Sequence, residues 1–157
     1  VVRGRENIAR LVAPVTENTR NIQQAGLKAA EAMDEDERAM FVDALPKQRR
    51  MLIESDCLVL PFFRQKDCPL CRPTDQSSLN YFASAVENIL LAATAEGLSC
   101  AFRIPIGNEP EHVKRLVGAP EEYEFTCFLA VGYAAENAHV CRQKEIRTAD
   151  RIHRNVW

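Results

Sequence analysis

The sequence predicts an α+β domain, in which a central sheet is covered by helices on both faces. The chain has 157 residues, enough for a single domain with its own hydrophobic core. Helical patterns fill the first part of the chain, and short apolar runs separated by helical segments fill the rest. Helices followed by strands that alternate with helices are typical of this class.

The first 54 residues predict a strand end followed by helices. An apolar Val-Val pair precedes Arg-Gly-Arg, as where a strand turns into a helix. Pro14 ends or kinks the first helix, because proline lacks an N–H donor and clashes with the preceding turn. Asp34 is predicted to cap a second helix, which Pro46 breaks, and a further helical piece spans 47–54.

Apolar runs predict the strands and the main helix. Residues 57–63, 99–104 and 125–132 are predicted as buried strands. A long helix begins at Ser77 or Ser78 and ends at Gly97, and a shorter one runs from the cap Asn108 to Gly118. The long helix is apolar nearly all round over 82–95, so we expect it to be buried on all sides, either within one subunit or against a second.

Composition excludes several classes of function. The net charge is −2, with 46% hydrophobic and 27% charged residues, which gives no reason to expect a nucleic-acid partner. The sequence contains no run of about 18 apolar residues, so no membrane span is predicted, and it contains no signal-peptide pattern. Cys57, Cys100 and Cys127 lie in apolar runs, as small core residues of a reducing compartment do, so the predicted location is cytoplasmic.

The turn Pro105-Ile106-Gly107-Asn108 is the best candidate for a binding site. It follows a predicted strand and precedes a predicted helix, so its backbone N–H groups are available to a flat, electron-rich ligand or an anion. Glycine also allows the backbone to approach such a ligand closely. The alternative interpretation is a plain strand-to-helix turn.

Residues 88–108, the segment Pro110-Glu-His-Val-Lys-Arg-Leu-Val-Gly-Ala-Pro120 and the strand end Val131-Gly132-Tyr133 resemble the C-terminal half of the nitroreductase family. The resemblance covers 52–157 and is densest over 80–133. It implies a mixed central sheet and an obligate homodimer in which the long apolar helix forms much of the interface. It also implies bound FMN and ping-pong transfer of hydride from NAD(P)H to a small-molecule acceptor such as a nitroaromatic or a quinone.

The same resemblance suggests which residues bind the cofactor. The turn Pro105, Ile106, Gly107 and Asn108 would run along the flavin ring, with the Gly107 amide donating to the ring nitrogen that accepts hydride. Arg142 and Lys144 would hold the FMN phosphate, since two cations one residue apart on an extended segment face the same way. The alternative for them is a solvated, charged tail. Residues 151–157 resemble the terminus of one subgroup, whose tail wraps over the partner and which Trp157 would anchor.

No catalytic side chain is predicted, because in flavin enzymes the cofactor carries the chemistry. The histidines His112, His139 and His153 lie in polar segments without a paired acid and are expected at the surface. Cys68-Pro-Leu-Cys71 is half of a zinc site and lacks the strand–motif–helix setting of a redox pair. It is interpreted as a surface loop near the mouth of the site, and no metal is expected.

The sequence is therefore interpreted as a single domain, 1–157, that lacks the N-terminal FMN-binding segment of the family. The alternative is a degenerate fragment that keeps the fold, binds no flavin and acts as a dimeric ligand- or protein-binding module. A third hypothesis is a thiol or zinc module built on Cys68 and Cys71.

Overall fold

The structure, a computed structural model, describes residues 1–15, 33–64, 77–138 and 145–155. Its α-helices are α1 (Arg5–Leu11), α2 (Glu35–Ala44), α3 (Gln48–Glu54), α4 (Ser77–Ala95) and α5 (Glu109–Val117). Its strands are β1 (Val2–Arg3), β2 (Cys57–Val59), β3 (Phe62–Arg64), β4 (Ser99–Arg103), β5 (Tyr123–Phe125) and β6 (Phe128–Gly132). Short 3-10 helices span Leu45–Lys47 and Thr148–Arg151.

The helix boundaries follow the local signals in the sequence. α1 ends at Leu11, ahead of Pro14, and the Asp34 carboxylate accepts the N–H of Glu37 at 2.9 Å, as a helix cap does. Gly97 (φ +72°) and Gly118 (φ +66°) take the left-handed conformation just beyond α4 and α5, as predicted. None of the described helices has the length and hydrophobicity needed to cross a membrane.

Four strands form the central sheet in the order β1-β2-β6-β4, and β3 pairs with β5 in a separate two-stranded sheet. All pairings among the described strands are antiparallel.

Strand β6 lies at the centre of the molecule and divides the core in two. Phe128 and Ala130 face α1, α3 and α5, while Leu129 and Val131 face α4. Such alternation is what a strand imposes on successive side chains. Helices therefore cover both faces of the sheet, which confirms the predicted α+β arrangement.

Two predicted strands are each divided in the structure. The 57–63 run splits into β2 and β3 at Pro61, which has no N–H to donate to a ladder, and the 125–132 run splits into β5 and β6. Val59 and Phe62 are three positions apart, while their partners Leu129 and Phe125 are four positions apart. The extra residue in the second run shifts the register as a β-bulge does, so the prediction of continuous strands is wrong.

The long helix α4 is not buried on all sides within one chain. Only its face toward the sheet is covered, where Val86 and Ala93 are buried. Leu91, on the far side, is 60% exposed, and Tyr81 is also exposed. Of the two alternatives, burial within one subunit receives no support from the described residues, because no other described element packs against the outer face of α4.

Candidate functional site

The predicted site residues Pro105, Ile106, Gly107 and Asn108 connect β4 to α5 as one turn. Gly107 has a φ of +56°, a left-handed conformation that favours glycine. The Gly107 N–H makes no hydrogen bond to any residue that the structure describes, and the residue is exposed. A backbone donor is therefore available to a ligand at this turn.

Two buried charged residues hold the turn at its ends. Arg103 is the last residue of β4 and Glu109 is the first of α5, and their exposed fractions are 3% and 0%. Arg103 Nη2 donates to Glu109 Oε1 at 2.9 Å, and Nη1 donates to Oε2. This two-pronged geometry is the most specific form of an arginine–carboxylate pair.

Glu109 also fixes the peptide groups on either side of Ile106. Its Oε2 accepts the Ile106 N–H at 3.1 Å, and its own N–H donates to the Ile106 carbonyl at 3.1 Å. A trans peptide is planar, and its C=O and N–H point in opposite directions. The Gly107 N–H shares a peptide with the Ile106 carbonyl, so it is directed away from the start of α5.

Arg103 anchors this arrangement to the rest of the fold. Its Nε donates to Gln48 Oε1 at 3.0 Å, which links the turn to the start of α3. Its guanidinium lies 5.6 Å from the centre of the Phe128 ring on β6, within the range of a cation–π contact. The turn therefore rests on the central strand and on a helix rather than on loop contacts alone.

An apolar groove of about 630 Å³ lies between α4 and the edge strand β4. Its walls include Phe82, Val86 and Leu90 from α4 and Phe102 from β4, with Cys127 also in the lining. Ile104 lines the groove and directly precedes the turn, so the two features are continuous. The volume lies within the range common for small-molecule and cofactor sites.

Two of the described cysteines, Cys100 and Cys127, are not activated nucleophiles. Cys57, Cys100 and Cys127 are free thiols. Burial, with a smaller contribution from Cys57, raises the pKa of the Cys100 thiol, and burial raises the pKa of the Cys127 thiol. Both are therefore protonated near neutral pH, and the thiolate is the reactive form.

His112 has a structural contact. Its Nε2 lies 2.8 Å from the Arg10 carbonyl, which connects α5 to α1 on the side of the sheet away from the groove. His153 is exposed. Neither histidine lines the groove.

Several predicted residues lie outside the described part of the chain: Arg142, Lys144, Cys68, Cys71, His139 and Trp157. Among the described residues, no group of three or more His, Cys, Asp or Glu side chains could hold a metal ion. Sequence reasoning missed Arg103 and Glu109. The sequence signal that could have indicated this pair is a charged residue at each end of the turn, of opposite sign and next to apolar neighbours.

Comparison by sequence gives no match, either to a protein-family model or to a curated protein. Comparison by structure gives clear matches. A BluB-like flavoprotein from Clostridium difficile 630 aligns with a TM-score of 0.66 and 14% identity over 97% of this chain and 76% of that one. Iodotyrosine deiodinase, solved with FMN and 3-iodo-L-tyrosine, aligns with a TM-score of 0.61 and 18% identity over 99% and 74%.

A variant of the FMN and NADPH-dependent nitroreductase NfnB from sphigopyxis sp. strain HMH aligns with a TM-score of 0.55 and 11% identity. That alignment covers 78% of this chain, which spans 57% of the length of NfnB. The similarities establish a nitroreductase-like fold, as the sequence predicted. At these identities they establish the fold alone.

Proposed function

We propose that this chain belongs to an FMN-dependent oxidoreductase that passes hydride from NAD(P)H to an organic acceptor, such as a nitroaromatic or a quinone, by a ping-pong scheme. The observation that carries the proposal is the exposed Gly107, whose N–H makes no hydrogen bond to any described residue, on a turn braced at both ends. The nitroreductase-like fold, shared with proteins solved with FMN or described as FMN-dependent, supports it. When bound, FMN supplies the hydride-accepting and hydride-donating chemistry.

The residues at the turn fit a flavin ring. Gly107 offers a main-chain donor without a side chain in front of it, so the backbone can approach a flat ring closely. Such a donor stabilises the electron-rich, reduced form of the ring more than the oxidised form. Ile104, which is 64% exposed beside the turn, supplies apolar surface for the ring edge.

Arg142 and Lys144 are proposed to bind the FMN phosphate. Charge-assisted bonds to a phosphate are roughly twice as strong as neutral ones. Replacing both residues by Ala should weaken FMN binding several-fold, measured by fluorescence titration. Arg50→Ala with Arg64→Ala, which removes two exposed cations elsewhere, is the control. Equal affinities for the two double variants would remove Arg142 and Lys144 from the site.

A second copy of this chain is the proposed partner. Large apolar side chains on α4 and the edge strand β4 are exposed together around the groove: Leu79, Leu91, Phe102 and Ile104. Among the described strands, β4 pairs only with β6, so its outer edge also offers backbone groups that no described strand bonds. Ile146 and Ile152 in the last described segment are exposed as well and are proposed to lie on the partner subunit.

The decisive experiment is a titration of the chain with FMN, followed by flavin fluorescence, and then by NAD(P)H oxidation with a quinone or nitroaromatic acceptor. Saturable quenching followed by turnover supports the proposal. Quenching that appears only in a chain extended upstream of Val1 would show that the added residues are needed for FMN binding. Binding in neither form would refute the oxidoreductase and favour the flavin-free binding module.

A further inference from the structure

We propose that Arg103 and Glu109 form a positioning pair that aims the Gly107 N–H at the flavin and thereby sets the affinity and reduction potential of the bound cofactor. This inference rests on the proposed function. It assigns a role to two residues that would not themselves touch the ring, and the role is exerted through the turn between them.

The burial of this pair is costly and calls for a reason other than stability. Charged side chains are almost never fully buried unless paired, and apolar residues of similar size often serve stability equally well. Arg103 and Glu109 nevertheless lie at the junction of β4, α5 and the core around Phe128. What a carboxylate provides here, and an apolar side chain cannot, is a set of directed acceptors.

The carboxylate acts on the direction of the Gly107 N–H indirectly, through the peptide that precedes Ile106. The carboxylate holds the peptide before Ile106 through the Ile106 N–H, and the Glu109 backbone N–H holds the next peptide through the Ile106 carbonyl. The second peptide is the one that carries the Gly107 N–H. Arg103 in turn fixes the carboxylate by two bonds, and Gln48 fixes Arg103.

The test is Glu109→Gln, which keeps the shape of the side chain and removes its charge and one acceptor oxygen. Glu111→Gln is the matched control, because it removes the same charge from an exposed carboxylate on the same helix, 4.0 Å from Lys114 Nζ. Three quantities are measured for each: amide hydrogen exchange of Ile106 without FMN, the FMN dissociation constant, and the midpoint potential of bound FMN.

For Glu109→Gln we expect faster exchange of the Ile106 amide and roughly tenfold weaker FMN binding. If the variant also loses a tenfold preference for the reduced over the oxidised ring, the two-electron potential of bound FMN falls by about 30 mV. The control should match the wild-type chain in all three quantities. A residue with only a structural role would change stability without changing the potential.

If Glu109→Gln does not fold, the double variant Arg103→Met with Glu109→Leu replaces the pair by apolar side chains, a change that proteins often tolerate. It should bind FMN more weakly and at a lower potential than the wild-type chain. A folded variant with wild-type affinity and potential would overturn the inference alone. A wild-type chain that binds no FMN would refute the proposed function and this role with it.

Discussion

At the scale of single residues, backbone signals could be read from the sequence more readily than buried charges. The glycines at the ends of α4 and α5 take the predicted left-handed conformation, because few other residues adopt it without strain. The Arg103–Glu109 pair could not be predicted in the same way. Charged residues beside apolar ones are usually exposed, and only the three-dimensional path of the turn brings these two together.

The buried thiols give a prediction at this scale. Since burial raises the pKa of Cys100 and Cys127, their thiolate fractions at pH 7 are smaller than that of an ordinary cysteine. Alkylation by iodoacetamide, followed site by site by mass spectrometry, should be slow at pH 7 in the folded chain and should accelerate only at alkaline pH. Rapid labelling of Cys127 at pH 7 would contradict this.

The same shifts fix the sign of a stability effect. A group whose pKa is higher in the folded state contributes stability below its unfolded pKa, and this contribution is lost as the pH rises through the folded value. The contribution of these two thiols is therefore present at neutral pH and is lost as the solution becomes alkaline.

At the scale of elements, the helices were predicted closely and the strands less so. Caps and prolines define helix ends locally, as Asp34 and Pro14 do. The division of the 125–132 run depends instead on its partners, since β5 pairs with β3 while β6 pairs with β2 and β4. An apolar run carries no sign of where its partner changes.

β6 gives a stability prediction, because its side chains form both halves of the core. Leu129→Ala removes a fully buried side chain from the face under α4 and should cost about 2–5 kcal/mol in the free energy of unfolding. Val42→Ala on α2, where the side chain is largely exposed, should change stability by less than about 0.5 kcal/mol. Urea denaturation measures both, and equal losses would contradict the central place of β6.

At the scale of the whole molecule, the outer face of α4 is the feature that one chain leaves unexplained. The sequence predicted that this helix would be buried, and the structure covers only its inner face. Sequence alone could not distinguish burial within a subunit from burial between subunits, because both require the same apolar surface. In the proposed homodimer, the second subunit covers the outer face of α4, so the helix is buried as the sequence predicted.

The proposed homodimer can be tested by introducing a charged side chain on the outer face of α4. Leu91→Arg should convert the dimer to a monomer, since an unpaired charge in an apolar interface is strongly unfavourable. Val42→Arg is matched to it, because the two side chains are 61% (Val42) and 60% (Leu91) exposed in the single chain. Light scattering after gel filtration should give a dimer for Val42→Arg. A wild-type monomer, or a dimer of Leu91→Arg, would rule out this interface.

The central claim is that the turn between β4 and α5 contacts FMN through the Gly107 amide, and two glycines allow a direct test. Gly107→Ala and Gly118→Ala both place a side chain at a left-handed φ, +56° and +66°, so each should cost about 1–2 kcal/mol of stability. Only the first lies at the proposed site. The measurement is the FMN dissociation constant of both variants beside the wild-type chain. The account predicts roughly tenfold weaker binding for Gly107→Ala and unchanged binding for Gly118→Ala, whereas equal constants for all three would contradict it.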